Sequence, residues 1–128
     1  MWQMGNVGPM LGQNHHFRHH APEKLPYAIT RYENEAHRLY GVLDKRLAGR
    51  DFVAGDYSIA DMAIIGWMLS PDRHAIDIDE FSNVKAWRER LLARPAVERG
   101  IAVGREKRSD IANDEKAKAV LFGQRARA

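Results

Sequence analysis

The chain has 128 residues, a formal net charge of +3, 45% apolar residues and no cysteine. That length suits one domain, which buries roughly two-thirds of its unfolded surface on folding. The absence of cysteine excludes a disulfide framework. The longest apolar stretch, Met62 to Leu69, is too short to cross a bilayer. No membrane partner is therefore expected. The start carries no basic segment before an apolar one, so no secretory signal is read and a cytoplasmic location is the default expectation.

In chain order, the spacing predicts a first helix from near Trp2 to about His20, opened or kinked by Gly5, Gly8 and Pro9. A second helix is expected from Glu23 or Pro26 to Leu47. Ile29, Tyr32, Ala36, Leu39, Leu43 and Leu47 form one stripe along it, and Gly49 closes it. Asp51 to Gly55 is the only β-like fragment and is too short to found a sheet.

A third helix is expected over 58–69. Ser58 and Asp61 have the spacing of a capping box, and Tyr57 with Met62 that of a hydrophobic staple. The body of this helix is apolar nearly all round, which predicts a central helix buried on most faces. Ser82 is then expected to cap a shorter helix whose inner face is Val84, Trp87 and Leu91. Pro95 opens a final short helix through Ala102. The fold class is therefore all-α, a bundle of about five helices with the capped 58–69 helix at its centre. Residues 1–104 read as the helical domain and 105–128 as a basic polar tail, with at most a frayed helix around Lys116 to Phe122. Mixed charge signs and the lack of interleaved aromatics favour a solvated tail over a nucleic-acid arm, and no nucleic-acid partner is expected.

Several residues admit more than one role. His15/His19 and His16/His20 are two pairs spaced to share a helix face and hold Zn²⁺, but neither has a third ligand close in sequence, so no metal is expected. Ser58 and Asp61 read as a folding device that gives unpaired N–H groups acceptors, on the order of 1 kcal/mol each. Arg31 reads from spacing as a surface arginine paired with Glu35 at i+4.

The run from Gln3 to Phe17, QMGNVGPMLGQNHHF, resembles the first helix of the C-terminal domain of bacterial glutathione transferases, most nearly the nu-class-like group with disulfide-bond oxidoreductase activity. The segment Tyr27 to Tyr32, YAITRY, resembles that group's Y-A-I-x-R-Y motif, and Ser58 to Asp61 resembles the cap of its central helix. The resemblance runs from Trp2 to about Val103.

It implies that Arg31 faces glutathione near its sulfur, where a guanidinium favours the thiolate or holds a carboxylate through paired hydrogen bonds. It further implies that Gln13, Asn14 and His15 line a cleft. From the residues alone, these three equally suit backbone groups freed by Gly8 and Pro9. Glutathione would be the substrate, with a small electrophile or a disulfide as the second. A homodimer is implied.

The family's thioredoxin-like half, which carries the sulfur-activating Thr, Ser or Asn, has no counterpart in these 128 residues, because Met1 falls within the first helix of the C-terminal half. Whether the chain alone is an enzyme stays open. The alternative is a non-catalytic interaction or dimerisation module that self-associates, or docks on a separate thioredoxin-like domain, through surface the missing half would cover.

Overall fold

A computed structural model describes residues 1–107 and 113–124. Among the described residues there are six α-helices: α1 (Gly8–His15), α2 (Pro26–Leu47), α3 (Ile59–Ile65), α4 (Ser82–Leu92), α5 (Pro95–Ala102) and α6 (Glu115–Phe122). Among the described residues the only β-type pairings are the isolated bridges Phe52 to Gly55 and Ala54 to Asp56.

The first helix meets the expected disturbance by changing pitch. π-Helical turns at Gln3–Val7 and His16–His20 flank α1. Pro9 has no N–H to give and its ring crowds the preceding turn, so a widened turn before it accommodates both. Gly8 lies against Trp67: a Cβ there would sit 3.4 Å from the indole and 3.3 Å from the Gln3 amide.

Helix α2 packs between α1 and α4, and buries Ala36, Leu39, Tyr40, Leu43 and Leu47. Ala36, Leu39, Leu43 and Leu47 are the inner positions of the predicted stripe and Tyr40 lies outside it; Ile29 and Tyr32, nearer the start, are only half-buried. Gly49 follows the helix at φ +69°, a conformation that suits glycine. Helix α4 adds Val84, Trp87 and Leu91, as its spacing predicts.

The Ser58 cap forms: its hydroxyl accepts from Ala60 N at 3.2 Å, and Asp61 Oδ2 accepts from Ser58 N at 3.1 Å. The helix is shorter than expected, passing into a 3₁₀ turn at Gly66–Met68. Asp61, Ile64, Ile65 and Met68 are buried, whereas Ile59 is 81% and Met62 52% exposed. The expected burial on most faces is thus not met within this chain, because no described element covers the outer face of α3. Tyr57 packs on Phe52 with ring centres 5.5 Å apart, and with Met62 borders an open groove.

Ser82 does not cap α4 as expected. It is the first helical residue and no side chain local to that end caps it. Asp44, one turn before the end of α2, takes that role. Its Oδ1 accepts from Asn83 N at 2.9 Å and Val84 N at 3.1 Å, and its Oδ2 from the Asn83 amide at 2.9 Å.

In the tail, Asp114 caps α6, which has no buried residue. Phe122 lies over His16 and His20, with centres 4.9 and 5.6 Å apart. Arg108, Arg125 and Arg127, part of the expected basic character, lie outside the described residues.

Candidate functional site

Two segments singled out by sequence, the end of the first helix and the start of α2, are stitched together in space. Phe17 stacks on Tyr32 with centres 5.5 Å apart and planes 9° off parallel. Beside this stack, Arg18 is ion-paired with Glu33. The pairing fixes the azimuth of α2 and so turns Arg31, the residue before Tyr32, outward.

The Arg31 side chain is 56% exposed, and its nearest approach to Glu35 is 3.9 Å. That is a loose ion pair without hydrogen-bond geometry. Glu35 instead takes two hydrogen bonds from Arg38, Nε to Oε2 at 2.9 Å and Nη2 to Oε1 at 2.7 Å. The Arg38 hydrogen bonds, against some opposition from burial, hold the Glu35 carboxyl below the usual carboxylate range. The Arg31 guanidinium is therefore an accessible cation with donors to spare, suited to a carboxylate or a thiolate.

Gln13, Asn14 and His15 do not share a face, since consecutive helical residues point about 100° apart. Gln13 is exposed. Asn14 is fully buried, donating a long 3.4 Å hydrogen bond to the His74 carbonyl, and its Oδ1 has no hydrogen-bond partner among the described residues. His15 is half-buried against His74, ring centres 6.3 Å apart. Of the three, only Gln13 is open to a ligand in this chain, and Asn14 is a buried polar post between α1 and the Pro71–His74 turn.

The histidines gather more closely than sequence reasoning anticipated. A π-turn advances about 82° per residue, so His19 and His20 straddle the azimuth of His15. His15 lies 4.8 Å from His19 and 5.2 Å from His20 between ring centres. His74 joins from the 3₁₀ turn, its Nδ1 3.3 Å from the Tyr40 hydroxyl. Burial first, then the charge of Arg73, lowers His15 and His74 to about 4, which favours neutral rings. Among the described residues, no group of three or more His, Cys, Asp or Glu side chains is arranged to hold a metal ion.

Sequence reasoning missed His74 and the Arg38–Glu35 pair. His74 gave no signal, being a lone histidine between Arg73 and Ala75 with no partner at helical spacing. Arg38 was legible as an i+3 partner of Glu35.

The all-helical bundle with a capped third helix is the fold of the C-terminal domain of glutathione transferases. The family model for the glutathione S-transferase C-terminal domain matches residues 16–95. The chain belongs to the glutathione S-transferase family. It is 52% identical over 96 residues to the disulfide-bond oxidoreductase YfcG of Escherichia coli K12, a match covering 74% of this chain and 45% of that protein. It is 43% identical over 113 residues to YghU of the same organism, another disulfide-bond oxidoreductase, covering 81% of this chain and 39% of that one.

Among solved structures, a glutathione transferase from Pseudomonas putida with one glutathione disulfide per subunit superposes with TM-score 0.75 at 39% identity, over 80% of this chain and 48% of that one. One from Burkholderia graminis with two glutathione molecules per subunit gives 0.73 at 39%, over 85% and 48%. The chain spans less than half the length of these relatives.

No described helix is long and apolar enough to cross a membrane.

Proposed function

We propose that this chain supplies the helical side of a glutathione site, with Arg31 as the residue that contacts glutathione and the first helix, at Gln13, as part of the acceptor-substrate wall. Residues 1–104 form the functional unit and 105–128 an appendage. A thioredoxin-like half, in this protein or a partner, provides the sulfur-activating group and the contacts to the γ-glutamyl end. The whole assembly conjugates glutathione to a small electrophile or reduces a disulfide, as a cytoplasmic homodimer.

The observation that carries this reading is the loosely paired guanidinium of Arg31, exposed on a segment joined to the first helix by the stack of Phe17 on Tyr32. The glutathione-bound relatives support it. Placed beside the bound thiol, that guanidinium lowers the cost of forming the thiolate; placed at a carboxylate, it anchors the tripeptide.

Calorimetric titration of the chain with reduced and oxidised glutathione tests the reading. Saturable binding that Arg31→Ala removes is the expected result. Binding indifferent to Arg31→Ala refutes the role of this residue, and absence of binding refutes a glutathione site on this chain by itself.

A second reading has its own observation. Ile59, Met62 and Met4 are exposed, and the last two border separate apolar grooves of about 610 and 470 Å³ on either side of α3. Surface of that kind suits a protein partner: a second copy, or a separate thioredoxin-like domain. Under this reading the chain is a non-catalytic dimerisation or docking module. A strictly monomeric chain in sedimentation that also fails to bind a thioredoxin-like domain excludes it.

A further inference from the structure

Arg31 and Arg38 lie four residues before and three after Glu35, so both reach the same carboxylate from one helix face. They do not share it equally. Arg38 engages both oxygens in the two-pronged geometry that a guanidinium and a carboxylate prefer, at 2.9 and 2.7 Å. Arg31 stands off at 3.9 Å. The Glu35 side chain is only 12% exposed, against 54% for Arg38 and 56% for Arg31. A carboxylate so largely covered needs a cation, and the two that act on it are Arg38 and Arg31.

Resting on the reading of Arg31 above, we propose that Arg38 is a positioning residue for the glutathione site: by occupying Glu35 it leaves the Arg31 guanidinium free for the anionic ligand. The triad Arg31–Glu35–Arg38 carries one net positive charge, and the geometry concentrates it at Arg31. Without Arg38, Glu35 draws Arg31 into an i, i+4 pair, which occupies its donors and cancels its charge. Arg38 touches no ligand in this scheme and acts wholly through Glu35.

The scheme predicts opposite signs for neighbouring substitutions, which a general loss of structure does not. In calorimetric titrations of the chain with reduced and oxidised glutathione, Arg38→Ala weakens binding about two- to threefold, the size of a helix-surface ion pair. Glu35→Gln leaves binding unchanged or tightens it. The double variant Arg38→Ala/Glu35→Gln returns to wild-type affinity. Arg38→Lys, which keeps the charge and loses the fork, falls between wild type and Arg38→Ala. Thermal melts of each variant verify the fold.

If Arg31→Ala abolishes binding while Arg38→Ala does not change it, the role of Arg38 is wrong and that of Arg31 stands. A double variant as weak as Arg38→Ala, or a Glu35→Gln variant weaker than wild type, equally overturns the inference, the latter because Glu35 would then be orienting Arg31. If Arg31→Ala is without effect, the reading of Arg31 falls and this inference with it; if wild type does not bind, this chain by itself holds no site for Arg38 to position and the inference falls alone.

Discussion

The indole Nε1 of Trp87 donates a 2.8 Å hydrogen bond to Oδ1 of Asp61, and both side chains are wholly buried. The same carboxyl group receives Val53 N at 3.0 Å on Oδ1 and Ser58 N at 3.1 Å on Oδ2. Asp61 therefore joins three elements: the cap of α3, the loop before it and the inner face of α4. A capping residue is ordinarily a local device worth on the order of 1 kcal/mol. This one is also the hub of a buried polar network, whose members are costly to leave unpaired. Asp61→Asn sets an amide donor against donors and is expected to destabilise by about 2–4 kcal/mol. Trp87→Phe, which removes one donor and some volume, is expected to cost about 1–3 kcal/mol. Urea denaturation of both variants checks the order, and an Asp61→Asn loss below that of Ser58→Ala would reduce Asp61 to an ordinary cap.

Asp44 caps α4 from another helix, so the energetic weight falls away from the residue that sequence reasoning chose. Asp44→Ala leaves Asn83 N and Val84 N without acceptors. A loss of about 1–2 kcal/mol is expected. Ser82→Ala, at an exposed position that makes no cap, is expected to stay within about 0.5 kcal/mol. Comparable losses in the two variants would show that Ser82 does cap the helix in solution.

The histidine cluster sets an acid limit on stability. His15 and His74 are lowered to about 4 by burial and then by Arg73. A folded-state value below the ordinary 6.5 means that the unfolded chain takes up protons first. Their contribution is therefore complete above about pH 6.5 and declines as pH falls toward about 4. His20, lowered for the same leading cause, adds in the same direction. His19, Arg18 and Lys118 add to the positive field around the cluster, and Asp72 opposes it at His74. Urea midpoints should fall between about pH 7 and about pH 5, and less steeply in His74→Gln. A wild-type midpoint flat over that interval would mean the rings are not held neutral.

Legibility in the sequence followed the range of the interactions. Elements built from neighbours in the chain were readable: the α2 stripe, the Ser58–Asp61 cap, Pro95 at the start of α5, and the disturbance around Pro9. Relationships across the chain were not. Asp44 reaches Asn83, Trp87 reaches Asp61, and His74 meets His15 only because the bundle packs α1, α2 and the Pro71–His74 turn together. Ser82 was a reasonable capping residue by composition, and it lost to a carboxylate that no local window contains. The candidate site divides in the same way. Arg31 came from its motif, while its freedom from Glu35 depends on which of two arginines the rotamers favour. Asn14 shared a motif with Gln13, but helical periodicity sends the two side chains to opposite environments.

The outer face of α3 yields the last prediction. Ile59, 81% exposed, stands beside a groove bordered by Trp2 and Met4, and Met62 beside the groove toward α5. Neither side chain contributes to the core of this chain, so Ile59→Lys and Met62→Lys should change folding stability by no more than about 0.5 kcal/mol. They should nevertheless alter association. Apolar surface that stays open on an isolated chain drives it onto a partner or another copy, and a charged head at its centre must be desolvated for that contact to form. Sedimentation at roughly tens of micromolar should show the wild-type chain associating and the double lysine variant shifted toward monomer, with unchanged melting. A thioredoxin-like domain added in trans should compete with the wild-type self-association. Melting lowered by several degrees in the variant would place these residues in the core of the folded chain, and a monomeric wild type would show that this face is content in water.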